Sequence, residues 1–228
     1  NLICPKNSQK NNDCHIRVEN GECPLNQRIP PADLILLPGS KSTRHDLQWL
    51  RSQGWPEAIQ KHLRYGGKVL GICGGFQMMG RSVSDPGGLE GDAGTTPGLG
   101  LLNMTTRMVA GKTLKDVSGE LTLGSGRPGF TGYEMHNGIS CGPALERPMA
   151  TLNGQSEGAV SEDGQIIGTY VHGIFDLTNL SRAAIKKGCL RLRPQVVDHH
   201  RCYQENRQTR DSDKCPGQLL LNIHSTLS

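Results

Sequence analysis

Residues 70–77 read Leu-Gly-Ile-Cys-Gly-Gly-Phe-Gln, an apolar run ending in a cysteine held between glycines. Strand, G-x-C-x-G and helix in that order form a nucleophile elbow, a turn so tight that small neighbours are needed on both sides. The Cys73 thiol then stands at the start of a helix, where the partial positive charge of the first turn favours a thiolate. The backbone N–H of Gly74 can hold the oxyanion of a tetrahedral intermediate. A buried cysteine in an ordinary strand-to-helix turn would share this pattern, so the chemistry has to be argued from its partners.

A thiolate that attacks an amide needs a group to protonate the departing ammonia, and histidine is the usual choice. His172 directly follows the strand pattern of residues 165–171, which predicts a place at the carboxyl edge of the same sheet as Cys73. Ligand sites of open parallel sheets lie along that edge. His136, in the Gly-rich segment 132–138, is the competitor and reads as a substrate-loop residue. His45 and His62 fall on helix surfaces, and the other four histidines lie in the two end segments. Pro38-Gly39-Ser40-Lys41-Ser42 lacks the spacing of a phosphate-binding loop. As a glycine-rich turn beside the elbow it could give the second oxyanion N–H, from Ser40 or the region of Gly39.

These groups need a frame. Residues 33–37 are a continuous apolar run closed by Pro38-Gly39, the pattern of a strand buried on both faces of a parallel sheet. A helical pattern starts at Ser42-Thr43 and stops near Gly54, and a second runs from Trp55-Pro56 to Gly66-Gly67. Residues 68–72 are the next buried strand, 76–79 a following helix, and 165–171 a further strand. The alternation predicts an α/β fold, an open and mostly parallel doubly wound sheet with flanking helices.

At 228 residues the chain can bury one sizeable core with appendages. Thirty glycines and thirteen prolines imply many turns. A net charge of +4 is too small for a nucleic-acid footprint, and the basic tail has no aromatic interleaving. No apolar run approaches the ~18 residues of a membrane span, and Asn1 opens a polar stretch unlike a secretory signal. Six of the eight cysteines lie near the ends, at 4, 14, 23, 189, 202 and 215, without CxxC spacing. They read as free thiols of a cytoplasmic protein, and no metal site is expected.

The organisation predicted is an atypical segment 1–30, a domain over 31–176, and an atypical basic segment 177–228. The last opens like a helix over 177–192, then turns polar and basic, with no clear apolar face after Val197. Cysteine-rich, pattern-poor ends are what foreign or out-of-frame sequence would give. If so, peptides from 1–28 and 195–228 would be missing from the native product in mass spectrometry.

Five motifs carry a resemblance. LPGSKST (37–43), GICGGFQM (71–78), DPGGLEG (85–91), GYEMHNG (132–138) and GTYVHGIFD (168–176), in this order, resemble the C-terminal glutamine amidotransferase domain of cobyric acid synthase. The resemblance covers about residues 31–176. It implies glutamine as substrate, Cys73 as nucleophile, His172 as general acid/base, and Gln77 against the bound glutamine. It further implies ammonia transfer to an ATP- and magnesium-dependent synthetase that amidates adenosylcobyric acid a,c-diamide to adenosylcobyric acid. Neither cofactor is expected to bind the amidotransferase domain itself.

In the wider class a glutamate stands two residues after the histidine. Ile174 is there in this chain, as in the cobyric acid synthase branch, so another group must orient His172. Glu134 is the candidate, though a carboxylate on a surface loop would look the same.

The chain departs from the family in two ways: the 228 residues hold no synthetase, and residues 1–30 show no opening apolar strand, which predicts an open edge on the strand at 33–37. Two alternatives follow. One is an inactive or truncated homologue that only binds a partner. The other is a stand-alone glutaminase subunit of a separate ligase, as in the cell-wall lipid II amidation pair.

Overall fold

The computed structural model describes residues 33–124 and 127–174, together with the backbone of a strand at 221–223. The helix expected over 177–192, the rest of the end segments and the six terminal cysteines lie outside the described residues.

Three parallel strands make the centre. β1 (Leu34–Leu37) pairs with β2 (Lys68–Ile72), Leu34 opposite Lys68 and Leu37 opposite Gly71. Between them run α1 (Thr43–Ser52) and α2 (Trp55–Arg64), a strand–helix–strand crossover of the kind a parallel pair requires. Gly54, at φ 70°, makes the left-handed turn between the two helices. β2 turns into the short α3 (Gly74–Met78).

Because side chains alternate along a strand, β1 divides its apolar run between two cores. Ile35 and Leu37 pack with Leu47, Leu50, Trp55 and Ile59 of the helices. Leu34 and Leu36 pack on the opposite face. All four are buried, each worth roughly 1.5–3 kcal/mol against exposure. This two-sided burial is why the segment reads as an unbroken hydrophobic run.

The opposite face is covered, among the described residues, by a second sheet. Its strands are β3 (Ser82–Asp85), β4 (Gly94–Pro97), the long β5 (Thr105–Leu121) and β6 (Gly129–Cys141), then β7 (Ala150–Leu152) and β8 (Gln155–Glu157). β5 and β6 form an antiparallel hairpin with a register shift between Met108 and Thr113. Val117, Leu121, Phe130 and Leu152 of this sheet meet Leu34, Leu36 and Leu70. The chain then returns through β9 (Ala159–Val160) to β10 (Ile166–Thr169), which lies parallel to β2 with Thr169 opposite Ile72. The predicted parallel sheet with flanking helices is therefore present, and the second sheet is an addition to it.

Two local expectations are corrected. The strand at 165–171 does not run unbroken into His172: β10 ends at Thr169, and β11 (Val171–His172) belongs to the second sheet, antiparallel to β6. The outer edge of β1 is not open either. β12 (Leu221–Ile223) pairs with it antiparallel, Leu34 opposite Ile223 and Leu36 opposite Leu221.

Candidate active site

Cys73 adopts φ 52° and ψ −111°. A side chain held at positive φ costs of order 1–3 kcal/mol and persists only where the surroundings fix it. They do so here through backbone bonds on both sides: Cys73 N donates to Thr169 O at 2.8 Å, and Gln77 N donates to Cys73 O at 3.0 Å. The thiol is buried and donates to Met135 O at 3.3 Å.

His172 reaches the same spot from the second sheet. Its ring stacks on Tyr133, its direct partner across the strands, with centroids 5.0 Å apart and planes 8° from parallel. Its Nε2 is buried. Gly39 measures how closely the two groups approach. A Cβ there would stand 3.6 Å from Cys73 Cβ and 3.1 Å from His172 Cε1, so any side chain at position 39 would fill the space the thiol and imidazole share. The turn after β1 also brings a second backbone amide to the elbow. A Cβ on Gly74 would lie 2.7 Å from Ser40 N. Gly39, Ser40, Gly74, Cys73 and His172 thus converge. A thiol, an imidazole and adjacent backbone N–H groups are the parts needed for attack on an amide carbonyl.

The decisive comparison concerns the whole pattern. The family model of the CobB/CobQ-like glutamine amidotransferase domain matches residues 15–180. The chain belongs to that family. Among solved structures it is similar to a glutamine amidotransferase at 18% identity and TM-score 0.49, over 69% of this chain and 80% of that one. It is also similar to PurLQS from Thermotoga maritima at 16% identity and TM-score 0.49, over 68% of this chain and 76% of that one.

In this amidotransferase domain Gln77 is buried beside the elbow. Thr43 Oγ1 donates to its Oε1 at 3.3 Å, and its Nε2 donates to Tyr170 Oη at 3.4 Å. Burial pushes the Tyr170 phenol up to about 12, so it is a neutral hydroxyl. Its oxygen lies 2.6 Å from Ser140 Oγ, and its ring takes Phe76 edge-on.

His136 is not a loop residue. It sits within β6 and stacks on Tyr170 at 4.0 Å, with Nδ1 3.0 Å from Gly138 O. Burial lowers its pKa below the ordinary value.

Glu134 is placed away from His172. It stands opposite Val171, so strand alternation turns it to the face opposite the Tyr133–His172 pair. Its carboxylate pairs with Lys115 Nζ at 2.7 Å.

Two features escaped the sequence reading. The first is a clamp made by the motif at 85–91. Glu90 Oε2 accepts from Thr43 N at 2.6 Å, capping α1 from 47 positions away. Ser42, the residue in the N-cap position, makes no side-chain cap. Asp85 in turn accepts from the N–H groups of Leu89 and Glu90, both at 2.9 Å. On the same turn Ser40 Oγ donates to Asp46. The second is Glu157, a buried carboxylate against the segment that carries His172. A sequence pattern such as Gln155-Ser156-Glu157-Gly158 reads as an exposed turn and gives no sign of it.

Proposed function

We propose that this domain hydrolyses glutamine through Cys73 and His172 and passes the ammonia to an ATP-dependent synthetase acting on corrinoid carboxylates. Cys73 Sγ attacks the side-chain amide carbon while His172 takes the thiol proton. The carbonyl oxygen gains the negative charge, next to the N–H groups of Gly74 and of Ser40 or Gly39. His172 returns the proton to the nitrogen, the C–N bond breaks, and ammonia leaves a glutamyl thioester. Water, deprotonated by His172, then cleaves the thioester to glutamate and restores the thiol. Gln77, fixed by Thr43 and Tyr170, stands on the elbow side of the site, where it would contact the bound glutamine.

The observation that carries this reading is the spacing at Gly39, whose Cβ position lies within 3.6 Å of both Cys73 Cβ and the His172 ring. The corrinoid part rests on the five sequence motifs and on the CobB/CobQ-like character of the family. ATP and magnesium belong to the synthetase, whether it is a domain of the same protein or a separate subunit. Among the described residues no helix is long and apolar enough to cross a membrane.

The test is release of glutamate from glutamine by the purified chain, with Cys73→Ala beside it. Loss by at least about 10⁴-fold in the variant is expected for a covalent nucleophile. Equal rates in both would overturn the assignment. Addition of a corrinoid a,c-diamide synthetase should raise the rate, and indifference to it would remove the corrinoid reading while leaving the glutaminase one.

A further inference from the structure

β10 leaves the parallel sheet at Thr169 and β11 joins the second sheet at Val171. At such a crossing the backbone changes ladder, and the N–H groups between need other acceptors. Glu157 supplies them. Its Oε1 accepts from Tyr170 N at 2.7 Å, and its Oε2 accepts from Thr169 Oγ1 at 2.8 Å. Thr169 Oγ1 accepts in turn from Val171 N at 3.0 Å. The carbonyl of the same Thr169 receives the N–H of Cys73 at 2.8 Å. One carboxylate is therefore tied to the backbone on which both Cys73 and His172 depend.

The carboxylate is itself fixed. Glu157 is buried and stands opposite Ala150 in the β7–β8 pair, and its carbonyl accepts from Met149 N at 2.9 Å. The next residue, Gly158, lies so close to β10 that a Cβ there would be 2.3 Å from Gly168 O. Hydrogen bonds to a carboxylate are shorter and stronger than neutral ones, and a catalytic pair misplaced by about 1 Å can lose about a hundredfold in rate.

We infer that Glu157 is a positioning residue, which sets His172 against Cys73 by holding the Thr169–Val171 crossing. The inference rests on the glutaminase reading of the Cys73–His172 pair. Ile174 at the position two after His172 fits with it, because the support comes from the backbone before the histidine instead of from a side chain after it.

The experiment uses the full chain with Glu157→Ala and Glu157→Gln. Two readouts are taken: kcat and KM for glutamine hydrolysis, and the pH profile of Cys73 alkylation by iodoacetamide, followed on the Cys73 peptide by mass spectrometry. Ala should lower kcat about a hundredfold with KM within about threefold. Gln should lower it about tenfold: its Oε1 can still accept from Tyr170 N, but its amide would face Thr169 Oγ1 as a donor and displace the hydroxyl proton.

The alkylation profile of each variant should move towards that of His172→Ala. If the Ala variant does not fold, the Gln variant decides. Wild-type kcat and wild-type alkylation profile in a folded Glu157→Gln overturn the inference. Should wild type and His172→Ala alkylate alike at every pH, the Cys73–His172 pair fails first and takes this inference with it.

Discussion

The two halves of the site are built by different means. Cys73 is held by its own neighbourhood in sequence: a strand, a glycine on each side, a positive φ and a helix that begins at the next residue. His172 is held from afar, stacked on Tyr133 and carried by a crossing that Glu157 ties from twelve or more residues away. A nucleophile with one strained backbone position can be specified by a short motif. A base that only has to arrive at the right place can be held by any scaffold that delivers it, so its support is spread through the fold.

The comparison can be broken by mutation, most strongly at the base itself. His172→Ala should cost about 10²–10⁴ in glutamine hydrolysis, the range for a general acid–base group. Near-wild-type turnover from the folded variant would leave Cys73 without the partner argued for it. On the nucleophile side, Gly74→Ala places a methyl 2.7 Å from Ser40 N. Spreading the two amides should lower kcat by about 10²–10³, as loss of an oxyanion donor does. An unchanged kcat would show that this pair of N–H groups does not meet the oxyanion.

Smaller effects are expected in stability. Glu90→Ala removes the cap on Thr43 N, a loss of about 0.5–2 kcal/mol. Thermal melting should register it as a Tm lower by a few degrees. A Tm equal to wild type would mean that Ser42 takes over the cap.

A further effect on stability concerns pH. Burial lifts the Glu157 carboxyl from 4.5 to about 7, and nearby Glu134 adds to the rise. The folded chain therefore binds this proton more tightly than the unfolded chain. That stabilisation is complete below about 4.5 and is lost as pH rises through about 7. Urea midpoints of wild type measured against Glu157→Gln should fall across this window, and parallel curves would contradict it.

Legibility followed the same division. The run Leu34–Leu37, the elbow at Cys73 and the two helices could be read because each is decided by residues close in sequence. The crossing at Tyr170 could not, since residues 165–171 read as one continuous strand pattern and give no sign that the strand changes sheet. Segment 132–138, rich in glycine, reads as a loop, yet it is the middle of a thirteen-residue strand paired along its length with β5. Glu134 and Glu157 show the limit most clearly. Both are buried carboxylates on strands of the second sheet, and only their strand positions separate the one that pairs with Lys115 from the one that binds the crossing.

Thr169 has one further consequence. Its carbonyl holds the Cys73 amide while its hydroxyl holds the Val171 amide. Neither amide can meet solvent without disturbing the same residue. The nucleophile and the base should therefore open as one cooperative unit, not as two independently breathing loops. In native-state hydrogen exchange the amides of Cys73, Tyr170 and Val171 would share a single opening free energy. The centre would then be either wholly assembled or wholly dissolved, and a half-formed site with a reactive thiol and no proton partner would scarcely be populated.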